Sequence, residues 1–439
     1  MRRIILVFML LLIPLLAACS LLGQSGDVSP SPTVTATAVP PPDTPQPVST
    51  IDLGLSEPLT PTKPVLTVWI SPEILNASEA GTAVLQQQLN QFQADHPDIE
   101  LIIEPKAVSG QGSILNYLRT GRNTAPTVLP DLITLPVDQL NTALNEELIY
   151  PQNGLIDTDL LGDLYPAGLE MALNEDQIHG YPFVFTNMPH LAINTAVYSD
   201  TIPLRWDKFI EIPEQTFAFP ANGAPGATLL LEFYLAEGGS LENEAGQPAL
   251  EVEPLAAALS QISLGRENEF ILAQSSNLGT LPETWKLLEG GSTTFVQTSA
   301  EQYLQNRNSE LAVDFHAIPG PQRSLTPLVR GWAWAISSAE PGKQSMALEL
   351  MMTLIEAENL AEWSVAAAFL PARRSAYDFW PSRDPYTPFA RRELAQARPH
   401  PLGPNSKMIT VLENALFDVI SLNKTPQEAA EEAATALQE

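Results

Sequence analysis

From Val65 onward, the chain alternates between segments with the two-residue period of β-strands and segments with the spacing of amphipathic helices. Residues 66–70 predict a first strand, 85–92 a helix with its apolar side chains on one face, 99–103 a second strand and 131–135 a third. Strands that alternate with helices form parallel-rich sheets flanked by helices. The pattern therefore predicts an α/β fold, in which ligands bind beyond the carboxyl ends of the strands.

The N-terminus has the pattern of a signal peptide. Two arginines precede an apolar run at residues 4–16, and two alanines come directly before Cys19. The run is too short to span a membrane as a helix, and the alternative is an uncleaved anchor helix. The string Leu-Ala-Ala-Cys resembles the lipobox of bacterial lipoproteins, in which the cysteine carries the lipid. Residues 1–18 are therefore expected to be removed, and Cys19 to anchor the protein on the extracytoplasmic face of the bacterial cell membrane.

Residues 19–64 are expected to form the lipidated N-terminus and a tether. Between Gln24 and Pro64 there are ten prolines and twelve serines or threonines. Such a segment buries too little apolar surface to offset the entropy lost on ordering. The folded part is therefore expected to begin near Val65, and the chain of 439 residues is long enough for two domains beyond that point.

The composition excludes several classes of partner and cofactor. The chain has 51 acidic and 22 basic side chains, whereas nucleic acid is bound by clustered Lys and Arg, so no nucleic-acid partner is expected. A single cysteine cannot form a disulfide within the chain. Neither an H-E-x-x-H motif nor a G-x-S-x-G or P-loop motif occurs. The sequence therefore predicts no metal, no other cofactor and no catalysis.

Short stretches after Val65 carry a resemblance to a known family. In order they are 66–70, 92–99 (FQADHPDI), 130–132, 178–194 (IHGYPFVFTNMPHLAIN), 289–291, 318–320, 330–336 (RGWAWAI), 370–373 and 414–416. Their order and spacing resemble the family 1 extracellular solute-binding proteins of the maltodextrin-binding type, which serve ABC importers. The chain departs from the family pattern at Thr293-Thr294-Phe295 and at Leu328-Val329-Arg330, where glycine pairs are usual.

The resemblance implies a monomeric two-lobe clamp of the type II periplasmic-binding-protein kind. Such a clamp closes over a small polar solute, for example a sugar, and delivers it to the permease subunits of the importer. The implied first lobe comprises 65–183 and 316–340, and the second comprises 184–315 and 341–439, with C-terminal helices that can pack on both lobes. Crossings between the lobes are expected near 182–186, 314–319 and 337–344.

Sugar recognition requires aromatic faces for the pyranose ring and planar polar groups for its hydroxyls. The aromatic candidates are Trp69, Tyr181, Trp332 and Trp334. A place in the core is favoured for Trp69 and Trp334, because most aromatic side chains serve packing, and ligand contact is favoured for Trp332. By the spacing of the family, the residues that face the cleft are Ser71, Glu73, Asp138, Thr186, Asn222, Gln297 and Trp332.

A basic stretch lies near the C-terminus, with seven basic residues against three acidic ones in 371–407. One interpretation makes Arg373 or Arg374 the rim of a cleft for an acidic ligand. The favoured alternative pairs these arginines with carboxylates of the acidic first lobe.

Two other functions remain open from the sequence. A membrane-tethered glycoside hydrolase needs two carboxylates that converge in one cleft. A degenerate binding-protein fold that acts as a sensor or scaffold needs no ligand, and the departures from the family pattern give this alternative some weight, although the favoured function is that of the substrate-binding protein.

Overall fold

The computed structural model describes residues 63–174, 176–307 and 311–438. All of them belong to one structural unit, and the predicted signal peptide, Cys19 and nearly all of the predicted tether lie outside the described residues. Among the described residues, every helix is too short or too polar to cross a membrane.

The described strands belong to a seven-stranded, a four-stranded and a two-stranded sheet. They are β1 (Val65–Ile70), β2 (Glu100–Pro105), β3 (Leu132–Pro136), β4 (Leu173–Asn174), β5 (Gln177–Ile178), β6 (Tyr181–Thr186), β7 (Pro189–Asn194), β8 (Phe217–Ala218), β9 (Phe295–Ser299), β10 (Val313–His316), β11 (Leu328–Ile336), β12 (Leu370–Pro371) and β13 (Arg398–Pro399).

The seven-stranded sheet forms the first lobe, with the order β12-β6-β11-β3-β1-β2 and with β13 paired to β11. Strand β1 runs parallel to both β2 and β3, as the alternation of strands and helices predicts. Strand β11, which follows β10 of the other lobe in the chain, runs antiparallel to β3 and β6. The sheet is therefore mixed within an α/β fold.

The four-stranded sheet forms the second lobe, with the order β10-β7-β9-β8. Only the β8–β9 pair is parallel, and the other pairs are antiparallel. One face is covered by a core of large aromatic and aliphatic side chains that includes Trp206, Phe209, Phe217 and Phe233, all fully buried. Burial of this apolar surface gives the second lobe a core of its own.

Helices cover both sheets. They are α1 (Pro72–Leu75), α2 (Glu79–Asp95), α3 (Ile114–Thr124), α4 (Leu140–Asn145), α5 (Thr158–Gly162), α6 (Pro166–Ala172), α7 (Trp206–Phe209), α8 (Ala224–Ala236), α9 (Val252–Glu267), α10 (Leu281–Glu289), α11 (Ala300–Asn306), α12 (Pro341–Leu354), α13 (Ala357–Ala367), α14 (Tyr386–Gln396), α15 (Lys407–Ile420) and α16 (Pro426–Ala436), with 3-10 turns at Pro126–Val128, Val137–Gln139, Ala273–Asn277 and Ser375–Asp378. Helix α16 begins with a capping box, in which Thr425 and Glu428 each satisfy the other's backbone amide.

Within the described residues, the chain passes between the two lobes at three places. It crosses between β6 and β7, between β10 and β11, and again between β13 and α15. The first two crossings lie close to the predicted positions, and the third replaces the one predicted at 337–344.

Helices α12 and α13 pack on the first lobe, whereas the expected lobe boundaries place 341–439 in the second lobe with C-terminal helices that can pack on both. The reason is close packing between α13 and α2, where a Cβ on Gly81 would lie 2.9 Å from Ala367. The side-chain amide of Gln88 also donates to the carbonyl of Asn359 at 2.9 Å. Helices α15 and α16, in contrast, pack on α8 and α9 of the second lobe.

Candidate functional site

Two adjoining cavities lie where the lobes meet. The first-lobe cavity has a volume of about 310 Å³. Its lining includes Asp138, which follows the carboxyl end of β3, and Glu170 of α6. The second-lobe cavity, of about 230 Å³, is lined by residues from the start of α8, from β9 and from α15. Arg330 and His400 line both cavities, so they form the boundary between them. We call this pair of cavities the cleft.

The sheet itself positions Arg330 and His400. Arg330 lies near the start of β11, opposite Thr186 of β6 at the first crossing between lobes. Pairing of β13 with β11 brings His400 alongside, and its amide donates to the carbonyl of Val329 at 2.8 Å. Backbone hydrogen bonds therefore place both side chains at the boundary of the cavities.

The side chain of His400 connects the two lobes through hydrogen bonds. Its Nδ1 accepts from Nη2 of Arg330 at 3.1 Å and from the amide of Leu402 at 3.2 Å. Because Nδ1 is an acceptor, the ring proton is assigned to Nε2, which lies 3.2 Å from Oγ1 of Thr228 on α8. The contacts thus run from β11 of the first lobe to α8 of the second.

Burial sets the charge of these groups. Burial, followed by the nearby positive charge of Arg330, lowers the pKa of His400 to about 3, so the imidazole is neutral at physiological pH. Burial also lowers the pKa of Arg330, an effect that the Asp138 carboxylate opposes. An arginine stays protonated despite such a shift, so Arg330 contributes a positive charge to the cleft.

Polar groups of β9 complete the second-lobe cavity. Gln297 is buried, its side-chain nitrogen donates to the carbonyl of Pro225 at 2.9 Å, and its Oε1 has no partner among the described residues. Ser299 caps α11 by accepting the amide of Gln302 at 3.2 Å. The cavity therefore presents amide and hydroxyl groups beside one guanidinium.

A larger cavity of about 500 Å³ lies on the other side of Leu328, between α8, the segment before β11 and β13. The buried carboxyl of Glu232 reaches it and accepts the amide of Leu328 at 2.9 Å. Burial raises the pKa of Glu232 well above its usual range. This cavity borders segments that connect the two lobes. The hydrogen bond between Glu232 and the Leu328 amide joins α8 to β11, so its role is structural.

The structure brings two of the predicted polar residues to the cleft. Asp138 lines the first-lobe cavity and Gln297 lines the second-lobe cavity. Thr186 lies opposite Arg330 in the sheet but lines neither cavity. Asn222 is exposed in the loop between β8 and α8 without lining either cavity. Ser71 is fully buried as the cap of α1 and contacts Glu73, and neither lines the cleft.

The four aromatic candidates lie away from the two cavities. Trp69 is buried in a first-lobe core and contacts Tyr117 edge to face. Tyr181 is fully buried and donates its hydroxyl to the carbonyl of Leu160 at 3.3 Å. Trp334 stacks on a phenylalanine of β6.

Trp332 does not occupy the position expected of a ligand contact. It is only 9% exposed and belongs to the same first-lobe core as Trp334, because the two side chains lie on one face of β11. Arg330 lies on that face too, two residues earlier, where the strand reaches the cleft.

Arg373 is part of the first lobe and does not line the cleft. Its Nε donates to Asp163 at 2.9 Å, and its Nη1 donates to the carbonyl of Ile355. This is the pairing with an acidic first lobe that the sequence favoured over a basic rim. The reason is the position of β12, which joins the far edge of the sheet beside β6.

The sequence missed Arg330, His400 and Thr228 as site residues. The available signal was the departure from the family's glycine pairs at 328–330, which puts a cation at the start of an apolar strand. Among the described residues, no cluster of three or more His, Cys, Asp or Glu side chains could hold a metal ion.

The sequence matches the family of bacterial extracellular solute-binding proteins over residues 87–388, and the chain belongs to that family. This confirms the resemblance predicted from the sequence. No curated protein sequence matches the chain.

The fold is similar to that of several solved structures. Maltose-bound MalE3 of T. maritima has a TM-score of 0.62 at 18% identity, with 85% of this chain and 99% of that chain covered. The cyclic alpha-maltosyl-1,6-maltose binding protein from Arthrobacter globiformis has a TM-score of 0.68 at 14% identity, with coverages of 85% and 97%. MalE from Listeria monocytogenes in complex with maltose has a TM-score of 0.66 at 14% identity, with coverages of 86% and 97%. The predicted α/β two-lobe fold is thereby confirmed.

Proposed function

We propose that the protein is the substrate-binding component of an ABC importer, which captures a carbohydrate or similar polar solute between its lobes and delivers it to a permease. The observation that carries this proposal is the cleft, where Asp138 of the first lobe and Thr228 and Gln297 of the second surround the Arg330–His400 pair. Membership of the solute-binding family supports it. The names of the similar structures, which are those of maltose-binding and related proteins, support a saccharide as the solute.

The polar groups of the cleft suit a polyhydroxylated solute. Carboxylates such as Asp138 and Glu170 accept hydrogen bonds from hydroxyl groups, and amides such as Gln297 both donate and accept. Because these groups come from both lobes, a solute contacts all of them only when the lobes are close together. Binding energy then shifts the lobes toward a closed state, by as much as the affinities for the two states differ.

A screen of purified protein against mono- and oligosaccharides tests this proposal. A solute at 100 times its dissociation constant stabilises the folded state by about 2.7 kcal/mol, which a thermal-shift assay detects. Small-angle scattering should then show a smaller radius of gyration with the solute bound. Chromatography of the recovered solute separates binding from hydrolysis, and the appearance of shorter saccharides would favour the glycoside hydrolase instead.

We also propose that Cys19 is lipidated and holds the protein on the extracytoplasmic face of the membrane. The support is the Leu-Ala-Ala-Cys string at the end of the apolar run. Cys19→Ala should release the protein from the membrane fraction without lowering its melting temperature. Ser20→Ala is the matched control, because it alters the neighbouring residue and keeps the cysteine. Retention of the Cys19→Ala protein in salt-washed membranes would contradict the lipid anchor.

A further inference from the structure

The second-lobe cavity has an unusual balance of charge. Arg330 is the only charged side chain among the described residues that line it, and none of them is Asp or Glu. Asp138 and Glu170 line the first-lobe cavity instead. A solute group that enters the second-lobe cavity therefore meets one positive charge and no carboxylate.

Arg330 also lacks the partner that comparable arginines have. Arg373 pairs with Asp163 at 2.9 Å, and Arg307 pairs with Asp384. No carboxylate of the described residues lies within 4.0 Å of the Arg330 guanidinium, whose hydrogen-bond partner is the neutral ring of His400. The hydrogen bond to His400 and the more distant Asp138 carboxylate replace only part of the hydration that this half-buried cation has lost, so an anionic ligand group is favoured at this point.

The hydroxyl groups around Arg330 are arranged as donors. Oγ1 of Thr228 accepts the Nε2 proton of His400, so its own proton is left for a ligand. Oγ of Ser299 likewise accepts from the amide of Gln302, and no acceptor among the described residues takes its proton. Thr228, Ser299 and Arg330 all line the same cavity. Two hydroxyl donors and one guanidinium in the same cavity match the lone-pair sites of a carboxylate.

We propose that the solute is an acidic sugar of the hexuronate class, whose carboxylate binds Arg330 in the second-lobe cavity. This rests on the proposed function and names the substrate class of the same cleft. The hydroxyl groups of the sugar ring lie toward Asp138 and Glu170 in the first-lobe cavity, which supplies acceptors where the other supplies donors. A carboxylate fits better than a phosphate, because one arginine balances a single negative charge.

Isothermal titration with matched sugars tests the proposal on the full chain. The pairs are galacturonate with galactose and glucuronate with glucose, and the methyl ester of each uronate removes the charge while leaving the protein unchanged. We expect the uronates to bind about 10- to 100-fold more tightly than their esters and neutral partners, as for a charge-assisted hydrogen bond.

Two variants test whether Arg330 causes the preference for the uronate. Arg330→Gln keeps the length and polarity of the side chain and should abolish the preference for the uronate. Arg391→Gln is the matched control, because it removes one positive charge from an exposed ion pair with Asp378, and it should leave the preference unchanged. The comparison of acid and ester on the unaltered protein remains decisive even if Arg330→Gln does not fold.

Each contrary outcome has a distinct meaning. Neutral sugars that bind as tightly as uronates would overturn the acidic-sugar proposal and leave the importer function standing. Binding of sugar phosphates in place of uronates would overturn the carboxylate assignment alone. Binding of short carboxylic acids without any sugar would overturn both the acidic sugar and the carbohydrate function. A failure of every uronate to bind would overturn the acidic-sugar proposal, while the saccharide screen above tests the importer function separately.

Discussion

His190 provides a quantitative test of how burial controls stability in this protein. It lies on β7 with no exposed surface, and its Nδ1 contacts the carbonyl of Met188 at 3.2 Å. The ring packs among Tyr303, Tyr386 and Phe389, with ring centroids 5.5–5.6 Å away. Its Nε2 has no hydrogen-bond partner among the described residues. Burial lowers the pKa of His190 from 6.5 to about 4.

The sign of the effect follows from proton binding in the two states. Above pH 6.5 the imidazole is neutral whether the chain is folded or not. As the pH falls from 6.5 toward 4, the unfolded chain takes up a proton that the folded protein excludes. Proton binding stabilises the unfolded state relative to the folded state, so the free energy of unfolding falls. The full loss in the free energy of unfolding is about 3 kcal/mol, of which about 2.5 kcal/mol has occurred at pH 4.5.

The perturbation is His190→Phe, which keeps an aromatic ring in the cluster and removes the titration. Urea unfolding at pH 7.5 and pH 4.5 measures the free energy of unfolding of both proteins. The variant should lose about 2.5 kcal/mol less than the wild type between these pH values. His179, His316 and His400 also have pKa values lowered by burial, but they are present in both proteins and cancel in the difference.

A control separates titration from packing. Tyr303→Phe alters the same cluster without changing an ionisable group in the acid range, so it should shift stability equally at both pH values. If His190→Phe and the wild type lose equal free energy between pH 7.5 and pH 4.5, the explanation by burial is wrong.

Three further changes test the packing. Trp332→Ala should lower the free energy of unfolding by about 3–5 kcal/mol, because it empties a core site, and a variant of full stability in urea would contradict that placement. Gly331→Ala should lower the melting temperature, because its Cβ would lie 2.7 Å from the carbonyl of Val184, whereas Gly342→Ala, with open space around it, should not. Thr425→Ala should cost about 1 kcal/mol in unfolding experiments through loss of a helix cap, and no change would show that the capping box contributes nothing.

The secondary structure and the family could be predicted from the sequence because both depend on short-range patterns. Strand β1 and helix α2 follow from the spacing of apolar residues, and the start of α16 follows from a capping box within four residues. The same reasoning could not decide on which lobe residues 341–367 pack, since the packing of a helix depends on partners far away in the chain, such as the Gly81–Ala367 contact.

The binding site could be predicted only in part, for a related reason. Asp138 and Gln297 were found because family spacing marks loops and strand ends near the cleft. His400, in contrast, contacts Arg330 across 70 residues of sequence and Thr228 across 172, and local patterns carry no information on such contacts. Period-two alternation implies that residues 330, 332 and 334 share one face of β11, but it does not tell which part of that face is core and which part reaches the cleft. That division arises only when β6, β13 and α8 meet around the strand and bury one end of the face while leaving a cavity at the other.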